Sequence, residues 1–346
     1  MTRMVDTTSH TFSATPQGPF HLAAQSRRFG GWPGLAADAD AIVMAFPVEG
    51  TEHAAAVVLR QPRDEVHVGG DMRHLREPHR LHGAVTGEVH GCPPDVADRA
   101  ARQALAVVSL DIDGSGWPAV GERDRFIGDL HARYGYLRPT LFHSPYEAAA
   151  AFVIGHRISI KQGRALRARI ANDFGTTISI GEEQFAAFPT PEQLLQAEAL
   201  PWVSTTKLER LHGIARAAQD GWLSRDSLRA AAQEQALARL QSLPGIGSFF
   251  AQGILHRGAG SIDAIIDDEI TRLAIAHGYG LEPPIDGDTV QQIAGRWRPY
   301  RFWTVVLLHV WARNELGVVS KRRGHRPVRA RRQSVSESPG VRQPHT

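Results

Sequence analysis

Between Phe12 and about Ile112 the apolar positions come in short runs broken by turn residues. Residues 41–46, 54–59 and 65–68 read as β-strands, separated by Gly, Pro and charged side chains. The turn Gly91-Cys92-Pro93 then leads into a helical stretch, Pro94–Val107, and residues 115–120, with Gly116 and Pro118, mark a boundary. From about Arg123 the apolar spacing becomes helical. Ser144-Pro145-Tyr146-Glu147 opens one helix, with Ser144 as N-cap and Pro145 at its first position. Thr190-Pro191-Glu192-Gln193 opens another, and Thr206-Lys207-Leu208-Glu209 begins a third, with Leu208, Leu211 and Ile214 on one face. Late in the chain Pro299 is expected to start a helix along which Val305, Leu308 and Ala312 share a face.

Composition narrows the class. A chain of 346 residues can bury a sizeable core in two or three domains. No apolar run is long enough to cross a bilayer, and no signal peptide opens the sequence, so a cytoplasmic setting is expected. The single cysteine, Cys92, excludes an internal disulfide framework and any four-cysteine zinc or iron–sulfur site. From Ser320 onward eight Lys or Arg face one acid, Glu337, a local charge of +7. The total is +3, which leaves −4 for the rest. The basicity therefore belongs to the end of the chain, read as a basic disordered tail that adds sequence-independent attraction to phosphate or is simply solvated.

The candidate chemistry gathers in one stretch. Leu243-Pro244-Gly245-Ile246-Gly247 reads as a tight hairpin between two helices. Its glycines tolerate positive φ and a close neighbouring backbone, and the amides opening the next helix are free donors suited to a phosphate. Asp267 follows at the start of a further helix (Ile270, Leu273, Ala274), beside Asp268 and Glu269.

Together with the block Trp297-Arg298-Pro299-Tyr300-Arg301, this stretch resembles the helix-hairpin-helix DNA glycosylase superfamily, and within it the alkylated-base, 3-methyladenine glycosylase II type. The resemblance covers residues 123–317 well and residues 12–115 loosely. It implies an α+β chain: a small N-terminal antiparallel sheet domain (residues 12–115), then an all-α helix-hairpin-helix glycosylase bundle (residues 123–317), then the tail at 320–346. In that superfamily the catalytic aspartate has a hydrophobic residue three places on and often a basic one five places on. Asp267, with Ile270 and Arg272, meets that pattern; Asp268 is the alternative, since relatives with an Asp-Asp pair usually use the second. The resemblance further implies a base pocket at Phe249 and Trp311, and phosphate-binding amides at Gly245 and Gly247. At the Gly155-His156-Arg157-Ile158-Ser159 junction, where His156 replaces the usual glutamine, Arg157 takes the place of the wedge that fills the gap left by a flipped nucleotide, assisted by His156. An alkali or alkaline-earth cation is expected on the carbonyls of Gln241, Leu243 and Ile246, with no other cofactor and no iron–sulfur cluster.

The implied activity is base-excision repair. A monofunctional glycosylase would flip an alkylated base such as 3-methyladenine or 7-methylguanine out of double-stranded DNA and hydrolyse its N-glycosidic bond. Relatives that also cut the backbone carry a lysine where this chain has Phe249, so no lyase step is expected. A monomer without membrane contact is the expected state. Two alternatives stand beside this reading: a non-catalytic DNA-binding protein that kept the fold, and a glycosylase for deaminated bases.

Overall fold

The computed structural model describes residues 9–26, 36–37, 41–62 and 83–317. The strand expected at 65–68 and the basic tail lie outside the described residues. Five strands, β1 (His10–Ala14), β2 (Ala36–Ala37), β3 (Ala41–Pro47), β4 (Ala54–Arg60) and β5 (Val85–His90), form an antiparallel sheet in the order β1-β5-β4-β3-β2. The register sets Met44 opposite Val57 and Val57 opposite Val89. Because strand side chains alternate, Ile42, Met44 and Phe46 share a face with Ala55, Val57 and Leu59. That face is covered by Phe20, by Leu22 of helix α1 (Leu22–Ser26) and by Val96, Ala100 and Ala104 of α2 (Pro94–Val107). Ala45, Ala54 and Ala56 point the other way, onto a second hairpin, β6 (Thr176–Ile180) and β7 (Glu183–Ala187). Burial on both faces explains why β3 and β4 read as nearly unbroken apolar runs.

Residues 123–317 are therefore mostly, not wholly, helical. The alternation Thr176-Thr177-Ile178-Ser179-Ile180, followed by Gly181 at φ +59°, carried the strand signal for the hairpin. The helices are α3 (Pro118–Arg123), α4 (Arg125–Tyr134), α5 (Pro145–Gly155), α6 (Ile160–Phe174), α7 (Pro191–Gln196), α8 (Thr205–Gln219), α9 (Arg225–Ala230), α10 (Gln233–Gln241), α11 (Ser248–Ile254), α12 (Glu269–Tyr279), α13 (Gly287–Ala294) and α14 (Arg301–Glu315). A π-helical turn, Leu255–Ala259, continues α11. The helix starts follow their caps. Ser144 accepts from the Glu147 amide, and Thr190 and Gln193 form a reciprocal capping box, as Ser159 and Gln162 do before α6. α14 begins at Arg301 rather than at Pro299, because Arg298, preceding the proline, is extended at ψ 142°.

Two apolar cores divide the helices. One joins α5, α8 and α10 with the hairpin residues Leu243 and Ile246. The other joins α4, α12, α13 and α14 through Ile127, Ala274, Val290, Trp297 and Leu308. The Trp297–Arg301 block ties the second core in place. Arg298 and Arg301 both hold Asp263, at 2.8 and 2.6 Å, and the Tyr300 hydroxyl donates to the Asp113 carbonyl at 2.7 Å. The block thus works as a brace between segments far apart in sequence.

Candidate active site

The hairpin forms as its sequence dictates. Leu243 and Ile246 are buried and anchor it, while Pro244, Gly245 and Gly247 stay exposed. Only Gly245 needs glycine's conformational freedom, at φ +89°; Gly247 is at φ −86° and ψ −179°. A Cβ at Gly245 would also stand 2.7 Å from the Arg210 side chain, which lies across the turn. Around the hairpin the cations gather. His156 and Arg157 come from the α5–α6 junction, and Lys207 and Arg210 from α8. Burial first, then Arg157, Lys207 and Arg210, hold the His156 pKa below the ordinary imidazole value. Lys207 does not point at solvent. Its Nζ donates to the carbonyls of Ile154 and His156 at 2.8 and 3.0 Å, and so caps the carbonyl end of α5.

Arg157 is exposed and sits at φ 64°, a left-handed conformation that costs an L-residue about 1–2 kcal/mol. Its neighbours Ile158 and Ile160 are also exposed. A strained, protruding residue between two capped helices fits a part that must reach outward. Arg157→Gly is expected to raise thermal stability slightly, by about 1 kcal/mol, while weakening action on duplex DNA; a melting curve and a duplex assay read the two effects separately.

The two aspartates differ sharply. Asp267 is exposed, and both its carboxylate oxygens are engaged by Arg272, at 2.6 Å from Nε and 2.7 Å from Nη2. Arg272 also donates to the Ile285 carbonyl at 3.1 Å, which fixes the pair against the chain before α13. Asp268 is the N-cap of α12 and accepts from the Thr271 amide at 2.8 Å. Its Oδ1 also lies 3.2 Å from His309 Nε2, which stands 3.0 Å from the Thr271 hydroxyl. Partial burial alone raises the Asp268 pKa. The hydrogen bond and charge of His309, with the Thr271 donors, outweigh that and hold it below the usual aspartate value. The helix dipole favours the same charged form. A carboxylate kept ionised yet one-third open to solvent is free to face a reacting cation.

His309 went unread in the sequence. Its signal was its place on α14, whose Trp311 had been expected in the base pocket. Two residues on a helix differ by about 200°, so Trp311 faces away from His309. Trp311 is 8% exposed, its ring 5.0 Å edge-on from Phe126, and its Nε1 donates to Glu315 at 3.0 Å. It packs in the second core, and the side chain that α14 offers the carboxylate is His309.

Phe249 stands 67% exposed at the rim, and Phe250 behind it stacks on Phe152 at 5.1 Å and 28°. Phe152 in turn lies 5.9 Å from Phe142, and His156 meets Phe250 edge-on at 5.8 Å. A Cβ at Gly253 would collide with the Phe152 ring at 2.5 Å, so the absence of a side chain there admits the stack. A cavity of about 260 Å³ opens elsewhere, among Leu228, Arg229, Leu255 and Asp263, and none of these site residues lines it.

For the implied hairpin cation the fit is mixed. The Leu243 carbonyl accepts from the Ile246 amide at 3.0 Å. Gln241 closes α10, so its carbonyl is among those without an intrahelical partner. Backbone oxygens of this kind suit a hard cation. Among the described residues no cluster of three or more His, Cys, Asp or Glu could hold a metal.

A comparison with family models gives no match. The chain is 30% identical over 173 residues to DNA-3-methyladenine glycosylase 2 of Escherichia coli strain K12; the match spans 48% of this chain and 56% of that protein. Among solved structures, the 3-methyladenine DNA-glycosylase of Archaeoglobus fulgidus superposes with a TM-score of 0.66 at 21% identity, over 87% of this chain and 98% of that one. The apo 8-oxoguanine glycosylase/lyase of Clostridium acetobutylicum superposes with a TM-score of 0.58 at 12% identity, over 90% and 99%. The chain shares its fold with these two glycosylase structures, and its sequence similarity to DNA-3-methyladenine glycosylase 2 spans about half of each protein.

Proposed function

We propose that this protein is a DNA glycosylase of the alkylated-base type, which flips a damaged nucleotide from the duplex and hydrolyses its N-glycosidic bond. The observation that carries the reading is the Asp268–His309–Thr271 arrangement: a helix-capping carboxylate, held ionised, in a chain with the glycosylase fold. As the bond from C1′ to the base stretches, the sugar becomes cationic. Asp268 opposes that charge and orients the attacking water. Asp267, whose two oxygens Arg272 occupies, is the weaker candidate, and the role passes to the second aspartate.

The remaining parts have matching tasks. The Gly245 and Gly247 amides, with Arg210 beside them, grip a strand phosphate. Arg157, assisted by His156, fills the gap in the stack. Phe249 meets the DNA at the rim while Phe250 and Phe152 present aromatic faces to the extruded nucleotide; Trp311 supports the helix from within. A cation on the Gln241 and Ile246 carbonyls would brace the hairpin. The chemistry is monofunctional hydrolysis. Two residues past Gly247 the chain has Phe249 and not a lysine, and Lys207 is committed to two carbonyls, so among the described residues neither position offers an amine to attack the sugar. Double-stranded damaged DNA is the partner, met by a cytoplasmic monomer.

The deciding test is to incubate the protein with methylated duplex DNA and identify what is released. Free 3-methyladenine or 7-methylguanine with an intact backbone is the expected product. Binding with no release from any damaged duplex would favour a DNA-binding protein that kept the fold.

A pH profile tests the His309 contact. The Asp268 pKa is depressed in the folded protein, so its ionised form persists as pH falls through the ordinary aspartate range and is lost only below it. Turnover should therefore hold into mild acid. His309→Leu removes the main lowering influence and should move the acid limb of kcat upward in pH; an unmoved limb would show that His309 does not tune the carboxylate.

A further inference from the structure

Asp268 ends a segment that has no regular structure of its own. Residues 260–268 belong to no helix or strand, and they join the π-helical turn behind the hairpin to α12. One side of the segment is packed: Ala264 is buried, and Ile262, Ile265 and Ile266 lie partly buried on the second core. The other side is open, because Gly260, Ser261, Ile262 and Asp263 line the cavity of about 260 Å³. Apolar contact is non-directional and does not by itself fix where such a run comes to rest. Directed bonds near its start do. Arg301 donates from Nε to Asp263 Oδ1 and from Nη2 to the Asp263 carbonyl, both at 2.6 Å, and Arg298 donates to Oδ2 at 2.8 Å. The Phe302 amide donates to the Ile262 carbonyl at 2.8 Å. The Arg301 side chain is only 12% exposed, so this ion pair is less screened than one at the surface.

The same helix carries the partner of Asp268. Arg301 opens α14, and His309 lies eight residues on, about 12 Å along the axis. Five residues separate Asp263 from Asp268, a span that reaches at most about 18 Å. The chain from Asp263 to Asp268, the axis of α14 and the 3.2 Å contact between Asp268 and His309 therefore close into one loop. Resting on the glycosylase reading above, we propose that Asp263, clasped by Arg298 and Arg301, is a positioning residue that fixes the register of Asp268 against His309.

The carboxylate is sensitive to such a shift. His309 of α14 and Thr271 of α12 are the groups that act on Asp268, while its neighbour Asp267 is turned to Arg272. A slip of about 1 Å would lengthen the 3.2 Å contact beyond hydrogen-bonding range and misaim the charge, and misplacements of that size cost catalysis about 10²-fold.

The test uses the full chain on methylated duplex DNA, with kcat, KM, the acid limb of kcat and Tm measured for each variant. Asp263→Asn and Arg301→Met are expected to lower kcat by about tenfold or more at little change in KM. Both should move the acid limb upward in pH, the direction expected of His309→Leu. Arg301→Lys keeps the charge and one donor, and should recover part of kcat. In a His309→Leu background Asp263→Asn should move the limb no further, since the two changes break one coupled unit. The Arg298 side chain is exposed, so Arg298→Met keeps the inference testable if the deeper variants unfold; the same effects are expected, but smaller. An unmoved acid limb overturns the proposal whether or not Tm falls, and would leave the clasp a brace of the fold alone. A rise in KM at unchanged kcat overturns it too, as do additive limb shifts with His309→Leu. Each of these results leaves the glycosylase reading standing, because wild type still releases base. Wild type that releases none sinks both.

Discussion

Asp268→Asn will remove nearly all base release, by about 10²–10³-fold or more, while leaving affinity for damaged duplex within a small factor. The amide keeps the shape of the N-cap and can still accept from the Thr271 amide at the distance now seen, 2.8 Å, so α12 should hold. What disappears is the negative charge, which matters only once the sugar turns cationic. A loss confined to kcat is the signature of a group that acts in the transition state alone. Asp267→Asn is the paired measurement. It breaks one half of the Arg272 fork and should cost stability more than turnover. If the two outcomes were exchanged, the assignment would return to Asp267.

These aspartates mark how far the sequence could be read. The hairpin, the capping residues Ser144 and Thr190, and helix α2 follow from local rules about turns, caps and periodicity. Those rules are short-range, and the structure places these elements as expected. Choosing between two adjacent carboxylates is a different problem. It depends on Arg272 five residues on and on His309 some forty residues on, and only the tertiary arrangement says which oxygen meets which partner. The same limit applies to Trp311, whose identity suited a pocket but whose side of α14 was set by Phe126. The β6–β7 hairpin was legible and went unread, because its alternation lies within a long helical context.

Arg225→Met should destabilise the protein by about 3–5 kcal/mol, the usual cost of leaving a buried charge without its partner. Arg225 is 5% exposed. Its amide donates to the Glu49 carboxylate at 2.9 Å, and its Nη2 donates to the carbonyls of Phe142 and His143 at 3.3 and 3.0 Å. Burial pushes the Glu49 pKa up and the Arg225 pKa down, so each charge depends on the other for its place. The loss should appear as a lower midpoint in urea at unchanged slope. Arg225→Met with Glu49→Leu should recover part of it, since an apolar pair avoids the stranded acid. The position also bears on chemistry, because the carbonyls it holds belong to the segment that presents Phe142 to the ring stack. A fall in Tm without any change in turnover at low temperature would separate anchoring from function.

The β6–β7 hairpin leaves the helical region to lie on the sheet, where Ile178, Phe185 and Ala187 close over Ala45, Ala54 and Ala56. The front of the chain and its later portion are thereby stitched through a shared dry seam rather than hung on a tether. Cutting the polypeptide between them would bare apolar surface on both halves. The leading segment is best seen as a splint for the framework behind it, and any attempt to graft this framework onto another protein has to carry the splint along.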